Sequence, residues 1–311
     1  MSIRILEGNC LNVLDDLEEQ SVYTCITSPP YYGLRDYGTE GQIGLETTPE
    51  EYVINLVNVF RKVKRALRDD GTLWVNIGDS YYNYRPGKGQ GLAKQTVSNT
   101  KQDLPDVCPR RGNKLAGLKE KDLIGIPWML AFALRADGWH LRQDIIWHKP
   151  NPMPESVKDR CTKAHEYIFL LTKQKKYYYD HEAIKYPAKE DWGTRDRTDG
   201  KYHNEGSGLS PHTGLEDSYE TSNKRSVWTV TTKPFKGAHF AVFPPDLIEP
   251  CVLAGCPEGG TVLDPFGGAG TAGLVADRHG RNAILIELNK DYSEIARNRI
   301  YNDAPLFVDV I

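Results

Sequence analysis

The sequence contains no apolar run approaching the about 20 residues that cross a bilayer. Its amino terminus, Met-Ser-Ile-Arg, lacks the apolar stretch of a signal peptide. Six cysteines (Cys10, Cys25, Cys108, Cys161, Cys251, Cys256) form no C-x-x-C pair, so the spacing signatures of structural zinc and of a dithiol redox centre are missing. A basic surplus is missing too: 39 Lys and Arg stand against 42 Asp and Glu, a net charge of −3. These absences point to a reduced, cytoplasmic chain without metal. They also exclude a surface that neutralises phosphates everywhere, so any contact with nucleic acid must use a local patch.

What is present suits one large α/β domain. At 311 residues and 39% hydrophobic content the chain can bury a full core. Val22 to Ile26 reads as a short strand that stops at Thr-Ser-Pro-Pro-Tyr-Tyr-Gly. Thr48-Pro49-Glu50-Glu51 combines an N-cap threonine, a first-turn proline and a capping-box glutamate. Val53, Leu56, Val57, Phe60, Val63 and Leu67 follow at helical spacing, which predicts a helix to about Arg68, stopped by Gly71. Strands are expected at Thr72–Ile77, Leu141–Trp147, Glu166–Thr172, Thr261–Leu263 and Ala283–Ile286. Helices are expected near Leu123–Ala136, after Pro245, after Gly270 and from Asn289. Such alternation means a mostly parallel sheet covered by helices. Two segments break it, a Gly-, Lys- and Arg-rich stretch over 84–121 and a polar stretch over 187–224. Aperiodic segments of that length inside a compact domain are usually functional loops or disorder.

The stretch Thr261-Val-Leu-Asp-Pro-Phe-Gly-Gly-Ala-Gly270 runs from a strand through a glycine turn into a helix, and Glu287 ends the next strand. Glycines let a backbone approach a nucleoside closely, and a carboxylate about 20 residues on accepts from ribose hydroxyls. Asp264 disfavours a pyrophosphate by charge and suits a cationic ligand. Asp264, Phe266, Gly268, Gly270 and Glu287 are therefore the candidate cofactor residues.

This glycine turn together with Thr27-Ser28-Pro29-Pro30-Tyr31 resembles the DNA amino-methyltransferases, in the beta arrangement that has the catalytic loop early and the cofactor loop late. Arg68-Asp-Asp-Gly-Thr-Leu-Trp-Val, Ile146-Trp-His-Lys-Pro-Asn-Pro-Met-Pro154 and Ala164-His-Glu-Tyr-Ile-Phe-Leu-Leu-Thr-Lys173 match the same family in order, so the resemblance covers nearly the whole chain. It implies a Rossmann-like fold with a seven-stranded, circularly ordered sheet. It also implies S-adenosylmethionine as cofactor and double-stranded DNA as partner. Cys10 and Asn9 fall where the family approaches the cofactor adenine, usually with an aspartate, so the asparagine is a departure.

The chemistry fits the loop. An exocyclic amine of a base is a poor nucleophile, because its lone pair is delocalised into the ring. If its N–H groups donate to the Ser28 hydroxyl and the Pro29 carbonyl, the nitrogen is held with its lone pair toward the methyl group, and positioning does most of the catalysis. Pro29 and Pro30 stiffen the loop. Tyr31 offers a ring on which a flipped base can stack, returning about 1 to 3 kcal/mol against the few kcal/mol that extrusion costs. Within the resemblance a serine at position 28 goes with cytosine N4 and an aspartate with adenine N6. The expected reaction is N4-cytosine methylation. N6-adenine methylation, and transfer to RNA or protein glutamine, are the alternatives.

Asp79, at a strand end, either lines the cofactor pocket or caps a helix. His165 and Glu166, adjacent on a strand, point to opposite faces and so do not form an acid–base pair. His148 and Lys149 precede a proline-rich loop that either closes over the site or is solvated. Cys251 lies on a helical pattern and is expected to be a buried, inert thiol. The 84–121 segment carries nine Lys and Arg against three Asp and Glu, a surplus of six that leaves the rest of the chain at −9. Arg110, Arg111 and Lys114 are assigned there to phosphate contacts, and Arg195 and Arg197 in the later segment to base reading. Whether the chain forms a homodimer or has a companion restriction endonuclease is left open.

Overall fold

The computed structural model describes residues 1–82, 117–187, 221–233, 243–303 and 309–310. The strands are β1 (Ser2–Glu7), β2 (Val22–Thr27), β3 (Leu67–Ile77), β4 (His140–His148), β5 (His165–Thr172), β6 (Tyr186–Pro187), β7 (Thr221–Ser222), β8 (Val227–Thr229), β9 (Thr261–Asp264), β10 (Asn282–Glu287) and β11 (Asp309–Val310). The α-helices are α1 (Cys10–Val13), α2 (Pro49–Ala66), α3 (Ile126–Ala136), α4 (Pro245–Gly255), α5 (Thr271–Arg278) and α6 (Lys290–Asp303). One sheet runs in the order β11-β1-β10-β9-β2-β3-β5-β4-β8. The expected seven-stranded sheet is present as β1 to β5 with β9 and β10, and the short β8 and β11 extend its edges. Only β5 runs against its neighbours in this sheet.

Alternation along the strands builds two cores, one on each face. Leu73, Val75 and Ile77 of β3 and Phe169 and Leu171 of β5 face the cluster covered by α2 and α3. Trp74, Ile168 and Leu170 face the opposite cluster, covered by α4, α5 and α6. Strands buried on both faces explain why these runs read as continuously apolar.

The α2 start forms as its sequence dictates. Thr48 accepts from the Glu51 backbone N–H at 3.1 Å, and Glu51 returns the bond to the Thr48 N–H at 3.2 Å. Its end differs from expectation. The helix stops at Ala66, because Leu67 turns extended and pairs with Val22, so β3 begins four residues before Gly71. Similarly, α3 starts at Ile126 and not near Leu123. Leu123 is bridged to Tyr81, and Gly125 takes a left-handed φ of +86° to turn the chain into the helix.

The chain crosses from β9 to β10 on one side and from β2 to β3 on the other, although β9 and β2 are neighbours. Their carboxyl ends therefore flank a crevice where the connections diverge, the usual ligand position in open α/β sheets.

Candidate active site

A pocket of about 940 Å³, open to solvent, occupies that crevice. One side comes from the loops after β9 and β10, with Phe266, Gly268, Glu287 and Asn289. Another comes from the loop after β2, with Ser28, Pro29, Pro30 and Tyr31. Gly8, Asn9 and Cys10, after β1, complete it. Residues far apart in the chain thus share one cavity.

Glu287 organises the glycine turn. One carboxylate oxygen accepts from the Gly268 N–H and the other from the Asn289 N–H, both at 2.8 Å. Burial pushes its ionisation upward, and these backbone donors oppose that shift. Each oxygen keeps a lone pair for a ligand hydroxyl. Gly268 lines the pocket with φ +51°. Gly270 is not among the lining residues. A Cβ there would lie 2.9 Å from the Ala296 Cβ of α6, so this glycine permits helix packing.

Asp264 is placed differently from the cationic-ligand contact its charge suggested. It is 1% exposed, absent from the pocket lining, and accepts from Thr27 Oγ1 at 2.6 Å and the Phe266 N–H at 3.0 Å. Burial raises its carboxyl to about 7. Its role here is to tie β2 to the turn after β9. Asp79 also lies off the pocket. Its carboxylate accepts from the N–H groups of Ser80, Gly125 and Ile126, capping α3, which was one of its two expected roles. Cys10 does line the pocket, with burial holding its thiol protonated at about 12. Asn9 lines it too, while its side chain caps α1 through the Leu11 N–H.

The catalytic-loop candidates are clamped from outside the loop. The buried Tyr52 of α2 donates its hydroxyl to the Pro30 carbonyl at 2.7 Å. Tyr31 lies against Gly78, where an added Cβ would come to 2.7 Å of its Cε2. The Tyr31 hydroxyl donates to Glu166 Oε2 at 2.7 Å, and Lys149 Nζ ion-pairs with Glu166 Oε1. Asn76 Nδ2 also approaches Glu166 Oε2, at 3.4 Å. Burial and the Glu166 charge push the phenol's ionisation well up, and the nearby Ser28 side chain opposes that shift.

Lys149 is thus an ion-pair member whose side chain is 18% exposed, so it is not simply solvated. His165 turns away from Glu166 to stand edge-on to Tyr167 at 5.4 Å, in accord with the opposite-face expectation. Cys251 is fully buried, and burial pushes its thiol well up. Sequence reasoning did not find the roles of Tyr52, Gly78 and Lys149, although Lys149 lies within one of the family-matching stretches. Glu166 lies within another and was weighed there only as one half of a rejected pair. Arg110, Arg111, Lys114, Arg195 and Arg197 lie outside the described residues.

The family model for DNA methylase, N6_N4_Mtase, matches residues 22–298. The chain belongs to the N6/N4 DNA methylases. It is 47% identical over 299 residues to the Type II methyltransferase M.Cfr9I of Citrobacter freundii, covering 96% of this chain and 88% of that protein. It is 45% identical over 305 residues to M.SmaI of Serratia marcescens, covering 96% and 91%. Among solved structures, PvuII DNA methyltransferase (cytosine-N4-specific) superposes with a TM-score of 0.62 at 17% identity, covering 99% of this chain and 96% of that one. A Thermus thermophilus protein, solved in complex with S-adenosyl-L-methionine, gives 0.61 at 24% identity, covering 99% of both. These two structural likenesses show the fold. As a DNA methylase, the chain is a methyl-transferring enzyme.

Proposed function

We propose that this chain transfers the methyl group of S-adenosylmethionine to the exocyclic N4 of a cytosine flipped out of duplex DNA. The observation that carries this reading is the shared pocket of the Ser28-Pro29-Pro30-Tyr31 loop and the Glu287-braced glycine turn. The pocket suits the cofactor. Glu287 presents a carboxylate beside a turn lined by Gly268, and a Cβ on neighbouring Gly267 would press to 3.1 Å on Leu285, so the turn stays narrow. Phe266 offers a ring to the adenine, and Cys10 and Asn9 flank it. When bound, S-adenosylmethionine supplies an electrophilic methyl on a sulfonium.

The chain's own residues do the rest. Ser28 and Pro29 accept from the target amine and aim its lone pair, and Tyr31 stacks on the extruded ring. Proton loss from the methylated nitrogen then restores a neutral amine. Serine at position 28 favours cytosine over adenine. Duplex DNA is bound by the basic segment over 84–121 through Arg110, Arg111 and Lys114, and the later polar segment reads sequence through Arg195 and Arg197. A companion restriction endonuclease is consistent with the Type II relatives.

The decisive experiment incubates the protein with duplex DNA and labelled cofactor, digests the product to nucleosides and identifies the methylated one. N4-methylcytosine is expected. N6-methyladenine would reassign the base, and C5-methylcytosine alone, or no transfer to DNA, would overturn the reading.

A further inference from the structure

The side chain of Met153 is 83% exposed, more than any other large hydrophobic side chain among the described residues. It lies on the loop that joins β4 to β5, and Lys149 at the start of that loop pairs with Glu166, which accepts from the Tyr31 hydroxyl at 2.7 Å. His148 and His165 close the pairing of β4 with β5 at the end of the sheet where β3 gives way to Gly78, the residue against which Tyr31 lies. The loop therefore rises from the rim of the catalytic-loop site.

A single exposed apolar side chain is ordinary on a protein surface, but the rigid mounting of this one is not. Pro152 and Pro154 flank Met153 and hold their own φ at about −65°. Two residues before Met153, Asn151 exchanges two hydrogen bonds with Thr232, donating to its carbonyl at 3.1 Å and accepting from its N–H at 3.0 Å. Two residues after it, Glu155 ion-pairs with Arg160 at 2.5 Å, and the Arg160 guanidinium lies over the Tyr81 ring at 3.9 Å. Held in water, the thioether chain adds no apolar burial to the fold, so its mounting calls for a partner. Residues 149–164 carry four Lys and Arg against two acidic residues in a chain of net charge −3, which suits a polyanion beside the apolar tip.

We propose that Met153 is a wedge that enters the stack of the duplex and fills the gap left by the extruded target base. This rests on the proposed reading that the chain flips its target base out of duplex DNA. Apolar side chains, methionine among them, part base steps in proteins that deform DNA, where the cost of unstacking is offset by the contacts that follow. A thioether chain is slim and polarisable, so it fits an irregular gap. With Met153 in the vacated place, the helix cannot close on the empty step and draw the base back. The stiff mount matters because a group ordered in advance loses little conformational freedom on insertion. Cofactor binding is separate, since Met153 does not line the pocket.

Met153→Ala removes the wedge at an exposed position, so thermal midpoint and cofactor affinity should stay near those of the unmodified protein. Extrusion is read on a cognate duplex with pyrrolocytosine in place of the target cytosine, or 2-aminopurine if nucleoside analysis names adenine, probes that brighten on unstacking. With Met153→Ala that brightening should largely disappear, and single-turnover methylation of the natural duplex should fall about tenfold. A mismatch opposite the target lowers the cost of extrusion, so there the loss should shrink to about threefold or less. Met153→Leu keeps an apolar wedge and should keep most of the rate. Asn151→Ala unties the mount and should slow extrusion in the same way, with nothing added in the Met153→Ala background.

An unchanged rate in Met153→Ala overturns the proposal. So do equal losses on matched and mismatched duplexes, a Met153→Leu variant as slow as Met153→Ala, or losses that add when Asn151→Ala is combined with Met153→Ala. A change confined to sedimentation would make Met153 a contact between copies of the chain and overturn it as well. Nucleoside analysis of the unmodified protein's product separates the two levels. An N-methylated base with an insensitive Met153 removes only this inference, whereas no N-methylated base removes the proposed function and this inference with it.

Discussion

Thr27 Oγ1 donates to Asp264 Oδ1 at 2.6 Å, joining the last residue of β2 to the last residue of β9 beneath the two loops that form the pocket. The same oxygen accepts from the Phe266 N–H, so one atom ties the end of β2 to the turn after β9.

This bond predicts a pH dependence. Burial raises Asp264 to about 7 from an ordinary 3.8. Between those values the folded chain holds a proton that the unfolded chain has released, so the group makes folding less favourable as pH rises through that window. Asp264→Asn keeps an oxygen for both donors and cannot ionise. Urea midpoints should show the variant gaining on the unmodified protein between about pH 4 and pH 7 and holding a constant lead above that. A difference that stays constant across this range would show that Asp264 does not titrate there.

Replacing Glu287 by Ala leaves the N–H groups of Gly268 and Asn289 without their acceptor and removes a charge from the pocket. Lost charge-assisted hydrogen bonds of about 1.5 to 3 kcal/mol should weaken cofactor binding roughly tenfold to a hundredfold. DNA affinity should change little. Calorimetry on the folded variant decides this, and equal cofactor affinity would remove the carboxylate from the cofactor site.

Gly78→Ala should act at a distance from the cofactor. Its new methyl would meet Tyr31 Cε2 at 2.7 Å and Glu166 Cδ at 3.3 Å, pushing the ring from its place. Turnover should fall about tenfold or more, because positioning is what the loop contributes. Cofactor affinity should hold within a few-fold. Steady-state kinetics beside direct cofactor titration distinguishes the two quantities.

The basic segment gives a prediction in salt. Replacing Arg110 and Arg111 by Ala should weaken binding to every duplex alike and flatten the salt dependence by about two units at most. Arg195→Ala or Arg197→Ala should instead change which sequence is preferred. Isotherms at several salt concentrations on cognate and scrambled duplexes test both. A loss confined to the cognate duplex in the Arg110/Arg111 variant would reverse the two assignments.

The Thr48 to Glu51 capping box, the glycine turn before α5 and the apolar strand runs could be read because each depends on neighbouring residues. The end of α2 could not, since Leu67 leaves the helix to pair with Val22, a partner 45 residues earlier. β1 escaped notice for the same reason: it pairs with β10 and β11, from the other end of the chain. At the site, the pocket-lining loops were legible as motifs. Tyr52, Gly78 and Lys149 were not, because they serve the loop only after folding brings α2, β3 and the turn after β4 against it. Asp264 has the residue type of a ligand contact, and only its burial shows that it faces Thr27 instead.

The strand order also sets a timetable for the nascent chain. Among the described residues β1 pairs only with β10 and β11, and β9 fills the space beside β2. During synthesis, β1 and one edge of β2 must therefore wait for segments made more than 230 residues later, roughly ten to fifty seconds at ribosomal speed. Until then two apolar strands have unpaired edges, the condition that invites pairing with other chains. Yield in the cell should accordingly depend on chaperone supply and on translation rate.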